Sequence, residues 1–431
     1  MKTKLAKNFG AWGGGVCAAL ICAVGNASLH VPTHSLHDDM VMLDCSVFSE
    51  AFVQPDSGQH VCINKHLLDM TAADMSELGD EFYYGDVRSR DYGQAADWYR
   101  RAAIRGFAYA QFSLGYMYSR GEGVPLNSVL ATKWLEKAAA SGFSAAQYTL
   151  GELYYYGDGV DRDANEAARW YVLAAEQGYS HAQYSLGYMY KMGDGAVQDF
   201  AQAQHWLRMA AVQGHSEAQA SLAYMFLNGE GTEINQDRAF QWFFKAATQG
   251  HAGAQTNLGY MYRMGMGVDQ DYERALMWLR AAADQGFARA QSSLGYMFHK
   301  GIGVAKDPKR AARWYESAGT SGDASAQYNL ALLYLMGEGV NQDYKQAALW
   351  FTQAARQGDA EAQYFLGKLY RHGWGVGRDV EQAISWFRKA ADHGHDKAQL
   401  ELAELEAGYS SGPQVTPVHA EAARSYSNLN P

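Results

Sequence analysis

The sequence has little of what most catalytic and metal sites are built from. Only 4 of its 431 residues are cysteine, 7 are proline and 19% are charged. It contains no H-E-x-x-H metal motif, no phosphate-binding G-x-x-x-x-G-K and no S-x-x-K nucleophile motif. One G-x-S-x-G occurs at 408–412, without the strand, turn and helix that expose such a serine, so we attribute it to chance. These absences argue against an enzyme and against a cofactor.

Long apolar runs are also missing. The longest run near the N-terminus, 11–24, follows Lys2, Lys4 and Lys7 and precedes small residues, which is the pattern of an export signal. The run is too short for an ordinary spanning helix, so we expect residues 1–27 to be removed and the mature chain to have no integral membrane span. Losing three lysines shifts the formal charge from −10 to −13, which argues against nucleic-acid binding. We expect a periplasmic or secreted bacterial protein, with an uncleaved anchor as the alternative.

The two cysteines that remain after this cleavage are Cys45 and Cys62, in a non-repeat segment at 28–71. An even count in an oxidising compartment predicts a Cys45–Cys62 disulfide, and two independent thiols are the alternative. The same segment holds His30, His34 and His37 beside two aspartates. Because their spacing is irregular, we interpret them as a polar terminus rather than a zinc site, and we expect no metal.

What the sequence does contain is a repeat of 36 residues. Leucine recurs at this step from Leu78 to Leu366 and tryptophan from Trp98 to Trp386, which gives nine units without an insertion. In each unit the apolar residues of the first half follow a helical spacing, as Ala182, Leu186 and Met189 show. Paired glycines end that helix in every unit except the first, where Val87 replaces the second glycine. Units of this kind bury their apolar faces only by stacking on their neighbours, so the repeat predicts one continuous array of helix pairs.

The second helix of each unit has a start signal at a fixed place. An Asp or Asn stands seven residues before each of the nine repeated tryptophans, from Asp91 to Asp379, where its side chain can cap the free N–H groups of a helix. Alanines three before and four after each tryptophan predict a core face on which small residues flank one large ring. Ala398, Leu402 and Glu406 begin a tenth first helix with a polar end, which predicts a capping helix. The repeats plus this cap cover 72–407, and we expect the polar tail at 408–431 to be disordered.

The motif A-x-x-x-L-G-x-x-Y-x-x-G-x-G-V followed by Asp, Ala, Trp, Ala-Ala and Gly resembles the Sel-one-like repeat, a relative of the tetratricopeptide repeat. This resemblance implies an all-α fold, a right-handed α/α superhelical solenoid whose first helices line the concave side. It also implies an adaptor scaffold; exported bacterial members are associated with the envelope, signalling or host contact. A cysteine-rich branch is described as binding or hydrolysing β-lactams, but this chain lacks the repeated cysteine pairs of that branch.

The first helices carry aromatic residues two positions before and two after the repeated leucine. At 100° per residue these positions lie opposite the core face, so they predict an aromatic ladder in the groove. The predicted binding residues are Phe112, Tyr116, Tyr184, Tyr188, Tyr224, Tyr260 and Tyr296. The alternative is that these rings pack between neighbouring helices. Glu152, Leu332 and Lys368 interrupt the ladder, which is densest in units four to seven.

We therefore expect a non-enzymatic scaffold that binds a protein or peptide in its concave groove, in the cell envelope or secreted. The net negative charge favours a basic or neutral partner. The first alternative is binding of peptidoglycan or another glycan, with tyrosine rings stacked on sugar faces. The second is a hydrolase of a β-lactam or cell-wall substrate, for which the sequence shows no activated nucleophile. Competition by peptides or by murein fragments distinguishes the first two.

Overall fold

A computed structural model describes residues 51–53, 60–62 and 70–409 of the chain. The chain divides into two compact units, 1–71 and 72–431. In the first, β1 (Ala51–Val53) and β2 (His60–Cys62) form an antiparallel hairpin in which Phe52 pairs with Val61. The predicted signal segment, the histidine cluster, Cys45 and the tail from Ser410 lie outside the described residues, so the disulfide stays a prediction.

The second unit is a solenoid of helix pairs. Its helices are α1 (Ala72–Tyr84), α2 (Tyr92–Ile104), α3 (Ala108–Arg120), α4 (Ser128–Ala140), α5 (Ser144–Tyr156), α6 (Ala164–Glu176), α7 (Ser180–Met192), α8 (Phe200–Val212), α9 (Ser216–Asn228), α10 (Gln236–Thr248), α11 (Ala252–Met264), α12 (Tyr272–Asp284), α13 (Ala288–Lys300), α14 (Pro308–Thr320), α15 (Ala324–Met336), α16 (Tyr344–Arg356), α17 (Ala360–His372), α18 (Val380–Asp392) and α19 (Asp396–Tyr409). Odd numbers from α1 to α17 are the first helices of the nine repeats. Each first helix packs on its own second helix, and each second helix packs on the next first helix. The predicted all-α solenoid is confirmed.

The predicted helix starts are confirmed in all nine second helices. Each Asp or Asn before the second helix accepts a hydrogen bond from a backbone N–H in the first turn. Asp163, for example, accepts from Asn165 and Glu166 at 3.0 Å each. A cap of this kind is worth about 1 kcal/mol per helix. Because the cap recurs at one position, every second helix begins in the same register.

Glycine ends the first helices where the backbone turns left-handed. Gly193 has a φ of +71° and closes α7 with a hydrogen bond from its N–H to Met189 O. A Cβ on Gly195 would lie 2.3 Å from the carbonyl oxygen of Ala164 in the preceding unit, so this glycine allows its loop to touch the start of α6. The small residue after the repeated leucine has a packing role, as the sequence indicates: a Cβ on Gly187 would lie 2.8 Å from Leu207 Cγ.

The core of the second helices differs from the predicted one. The fully buried large side chain is the residue after the tryptophan, such as Leu207, Phe243 and Tyr315, each at most 1% exposed. Among the repeated tryptophans only Trp98 and Trp350 are buried, and the others are half-buried. The predicted arrangement of alanines around the tryptophan ring is therefore wrong by one position, because the helix turns its next residue towards the first helix.

A row of buried glutamines, which we call the glutamine ladder, joins successive repeats. Its members are Gln111, Gln147, Gln183, Gln219, Gln255, Gln291, Gln327 and Gln363. Each donates its Nε2 to a carbonyl oxygen near the end of the preceding unit's second helix, as Gln255 does to Ala247 O at 3.1 Å. In five units the Oε1 accepts from a second glutamine 30 residues later, as Gln255 accepts from Gln285 at 2.9 Å.

The end of the array is closed as predicted. Helix α19 buries Ala398 completely, and its acidic side chains bind the last full repeat. Arg371 pairs with Glu401, and Arg388 Nη2 lies 3.0 Å from Glu406 Oε1. Across the described part of the chain no helix combines the length and the apolar character needed to cross a bilayer.

Candidate functional site

The first helices carry exposed aromatic and apolar side chains on one side. Tyr188 and Tyr260 are 40% and 43% exposed, and one turn later Met192 and Met264 are 54% and 49% exposed. Tyr156 of α5 is at the same repeat position as these methionines and is 53% exposed. Residues four apart lie on one side of a helix. We call Tyr156, Tyr188, Met192, Tyr260 and Met264 the aromatic face.

A cation reinforces this face between units six and seven. The guanidinium carbon of Arg263 lies 5.2 Å from the ring centroid of Tyr260 and 5.7 Å from that of Tyr296. Contacts of this kind contribute about 0.5–1 kcal/mol at exposed sites. Tyr296 is half-buried, so Arg263 holds one ring partly open to solvent and the next against the array.

The other predicted rings are half-buried, and their neighbours explain why. Tyr184 stacks on the His215 ring at 4.8 Å, with the Tyr188 ring 6.4 Å away. Tyr224 packs edge-on against Phe243 at 5.0 Å, and Asn257 Nδ2 donates to its hydroxyl at 2.6 Å. These tyrosines connect neighbouring elements, as the packing alternative describes.

The N-terminal pair of the predicted ladder lies in unit two. Phe112 packs on Phe143 at 5.3 Å and lies 6.4 Å from Tyr116. Arg120 covers the Tyr116 ring at 5.4 Å. Both rings are half-buried, and neither is among the large apolar side chains that the fold leaves exposed. The structure thus separates the predicted ladder into exposed rings at Tyr188 and Tyr260 and packed rings elsewhere.

Glu152 interrupts the ladder as a buried carboxylate. It is 8% exposed and accepts a hydrogen bond from the Tyr171 hydroxyl, with a second from Tyr148. Burial raises the pKa of Glu152, and the two hydroxyls oppose this rise only in part. Asp80 in unit one repeats the arrangement at the same repeat position, accepting from Tyr99 and Tyr109 at 2.6 and 2.9 Å. These carboxylates therefore bind core tyrosines rather than a partner.

Two imidazoles lie close together at the start of α7, and one of them, His215, stacks on Tyr184. The His181 and His215 rings are 4.5 Å apart, and burial together with the neighbouring His215 lowers the pKa of His181 to about 3. His215, His251 and His395 share one repeat position, and each accepts a backbone N–H bond at the start of α9, α11 or α19, so these histidines cap the helices that follow them. In residues 70–406 no three His, Cys, Asp or Glu side chains converge in a way that would hold a metal ion.

The first helices of units three to six carry few charges. They contain two acids, Glu152 and Glu217, and two bases, Lys191 and Arg263. Glu152 is buried, and Lys191 Nζ pairs with Glu230 at 2.8 Å. The acidic surplus of the chain lies away from these helices. Its net charge is therefore a poor guide to what this face binds, and a neutral, apolar partner matches the local surface.

The sequence reasoning missed the methionines and Tyr156 of the aromatic face. The signal was present in the sequence. Tyr156, Met192 and Met264 each stand four residues after a residue of the predicted ladder or its interruption at Glu152, and residues four apart share one side of a helix. This signal is weak because the last residue of the first helix varies among the repeats: Arg120, Asn228 and Lys300 stand there in other units.

Comparison with known proteins places the repeats in one family. The Sel1 repeat model matches nine consecutive segments, from 72–107 to 360–395. The chain is 37% identical to c5321, a protective antigen of uropathogenic Escherichia coli with an SLR fold; the match covers 79% of this chain and 81% of that one, with a TM-score of 0.65. It is 35% identical to a Sel1 repeat protein from Oxalobacter formigenes, covering 72% and 89%, with a TM-score of 0.58.

A curated relative matches over a much shorter stretch. The chain is 43% identical over 56 residues to HRD3B, an ERAD-associated E3 ubiquitin-protein ligase component of Arabidopsis thaliana. The match covers 13% of this chain and 9% of that protein, so the chain spans only a small part of the length of that relative. The nine matched segments extend over most of the present sequence. The chain therefore belongs to the Sel1 repeat family, whose members are protein-interaction scaffolds.

Proposed function

We propose that this chain is an exported scaffold that binds a protein or peptide through the aromatic face. The observation that carries the proposal is the exposure of Tyr188, Met192, Tyr260 and Met264 on first helices that carry few charges. Monomeric proteins leave large apolar side chains grouped on a surface mainly where a partner covers them.

The chemistry of these side chains suits a protein segment. A tyrosine ring offers a large contact area at the cost of ordering only two side-chain torsions, and interface hot spots are enriched in tyrosine. The neighbouring methionines adapt their shape to an apolar partner surface. Because the helices beneath them are fixed by caps and by the glutamine ladder, the face is formed before the partner arrives, which reduces the entropy lost on binding.

Export is part of the proposal. The basic, apolar and small-residue pattern of residues 1–27 supports it. The similar Escherichia coli protein is described as a protective antigen, which supports a location outside the cytoplasm for this chain too. We propose the periplasm or the medium as its place of action, and a scaffold without catalytic chemistry as its role.

Site-specific photo-crosslinking tests the proposal. A photoreactive residue replaces Tyr188 in one sample, Tyr260 in a second and Phe244 in a third; Phe244 is the control because it is aromatic, 41% exposed and on a second helix. We expect one protein to be captured from an envelope extract at Tyr188 and Tyr260 but not at Phe244. An excess of unlabelled wild-type chain should remove the product, whereas a Tyr188→Ala, Tyr260→Ala chain should not.

Two outcomes contradict the proposal. Equal capture at all three positions would show that the aromatic face has no special role. Absence of any captured protein, together with sedimentation of the purified chain on murein sacculi, would support the glycan alternative.

A further inference from the structure

A cleft lies at the junction of units six and seven, on the side of α13 away from the aromatic face. Leu294 and Phe298 of α13 line it and stand two residues before and after Tyr296, which places them near the opposite side of the helix. Leu276 of α12 and Trp314 of α14 complete its apolar walls. The cleft has a volume of about 500 Å³, within the range of small-molecule sites.

Three basic side chains surround this apolar space, and two of them are neutralised. Arg310 Nε lies 3.2 Å from Asp307 Oδ2, and Lys306 Nζ lies 2.7 Å from Glu338 Oε1. Arg280 has no ion pair with any acid in the described part of the chain. The cleft therefore presents one exposed guanidinium without an acidic partner beside its apolar walls.

The repeat itself provides the comparison that makes this arrangement informative. At the position of Arg280, unit one has Arg100, whose guanidinium pairs with Asp97 at 2.5 Å and hydrogen-bonds the Tyr118 side chain. In unit six the residue corresponding to Asp97 is Met277, and in unit seven the residue corresponding to Tyr118 is Phe298. Both natural partners of the arginine are thus replaced by side chains that cannot accept a hydrogen bond.

One other junction shares part of this arrangement: Arg208 of unit four has His205 in place of Asp97 and Phe226 in place of Tyr118. Eight junctions have positions equivalent to Arg280, Lys306 and Arg310, and only the junction of units six and seven has a basic residue at all three. The next richest, between units four and five, has Arg208 and Arg238 with Ile234 at the third position. The other seven junctions therefore have fewer basic side chains at these positions on the same backbone framework, so the fold does not require the basic set.

We propose that this cleft binds an apolar monocarboxylate, with its carboxylate on Arg280 and its apolar body between Phe298 and Trp314. A guanidinium binds a carboxylate through two parallel N–H bonds, and the single uncompensated charge matches a monoanion rather than a phosphate dianion. The carboxylate belongs either to a free acid or to the C-terminal residue of a peptide. The site is separate from the aromatic face and does not depend on the proposed scaffold function.

Calorimetric titration of the full chain tests this proposal. The probes are 4-phenylbutyrate, as a free acid, and N-acetyl-glycyl-phenylalanine, as a peptide terminus; the amide of each is its uncharged control. We expect saturable binding of at least one acid and no binding of its amide. Whichever acid binds more tightly identifies the source of the carboxylate.

Two variants connect the binding to this cleft. Arg280→Gln should lower the affinity for the acid by about tenfold or more, because it removes a charge-assisted hydrogen bond. Phe298→Tyr should also weaken it, because it restores to the arginine the hydroxyl that Tyr118 provides in unit two. Arg208→Gln is the matched control, an exposed arginine at the same repeat position in another junction, and should leave the affinity unchanged.

The proposal is overturned if neither acid gives saturable heat up to about 5 mM, a range that reveals a Kd near 1 mM. It is equally overturned if Arg280→Gln and Arg208→Gln bind the acid alike, or if an amide binds as well as its acid.

Discussion

The glutamine ladder predicts a measurable coupling between Gln255 and Gln285. Gln255 is 6% exposed, and its Oε1 accepts from Gln285 Nε2 at 2.9 Å. Gln285 Nε2 also lies 3.0 Å from Gly250 O in the preceding unit, so the pair links units five and six. A neutral hydrogen bond of this kind contributes about 1 kcal/mol net, and a buried acceptor left unpaired costs about 1–3 kcal/mol.

A double-mutant cycle isolates that contribution. The variants are Gln255→Met, Gln285→Ser and the double substitution, and the free energy of unfolding is measured by urea titration followed by circular dichroism. We expect the sum of the two single losses of unfolding free energy to exceed the loss in the double variant by about 1 kcal/mol, because either substitution alone already breaks the bond. A coupling energy below about 0.3 kcal/mol, the range within which independent sites are additive, would show that the two glutamines do not stabilise each other.

Two units lack this second hydrogen bond, so they allow the opposite test, in which the bond is added. Gln111 and Gln291 are the two ladder members whose Oε1 atoms are buried without a partner, and serine stands at the position of the donor in both units, as Ser141 and Ser321. Ser321→Gln should supply the missing donor to Gln291 and stabilise the fold by about 0.5–1 kcal/mol, the bond's value less the ordering of one side chain. No gain at that position would also contradict the account.

Three further predictions concern buried groups. Burial raises the pKa of Glu152, so its contribution to stability decreases as pH rises from 4.5 through the raised value; Glu152→Gln should raise the thermal midpoint at pH 8 and leave it unchanged at pH 4. The pKa of His181 is lowered from 6.5 to about 3, so the unfolded chain takes up the proton first and stability decreases on acidification. His181→Gln should reduce the loss of unfolding free energy between pH 6.5 and pH 5 by about 1 kcal/mol, which is half of the unscreened value because the ring is partly exposed. Urea unfolding at the two pH values measures this difference. Gly295→Ala would place a Cβ 2.6 Å from Tyr315 Cδ1 and should cost about 1–2 kcal/mol, whereas Gly377→Ala, with open space around it, should cost less than half as much in the same assay.

Local rules explain what the sequence predicted well. The caps at Asp163 and its eight equivalents and the turn at Gly193 depend on a few neighbouring residues, so each is readable from one repeat and then multiplied by nine. The period itself determines which helices stack. The small residue at Gly187 was also interpretable, because alanine replaces it at Ala223 and so excludes a need for unusual backbone angles.

The exposure of individual side chains was less predictable, because it depends on contacts between units. Tyr224 and Tyr260 occupy the same repeat position, yet only Tyr260 is exposed, since Phe243 and Asn257 hold Tyr224 against the array. A single repeat does not contain that information. The one-residue error at the tryptophan has a similar cause: both phases fit a helical stripe, and the packing of two helices decides between them.

We have proposed that the aromatic face is the binding surface of this scaffold. The most direct test is the affinity of the cross-linked partner for two doubly substituted chains. One carries Tyr188→Ala with Tyr260→Ala. The other carries Phe244→Ala with Met209→Ala, which removes comparably exposed side chains from second helices. We expect the first chain to lose about 30-fold or more in affinity, the effect of removing one hot spot of about 2 kcal/mol, and the second chain to keep its affinity. Equal affinities of the two chains would contradict it.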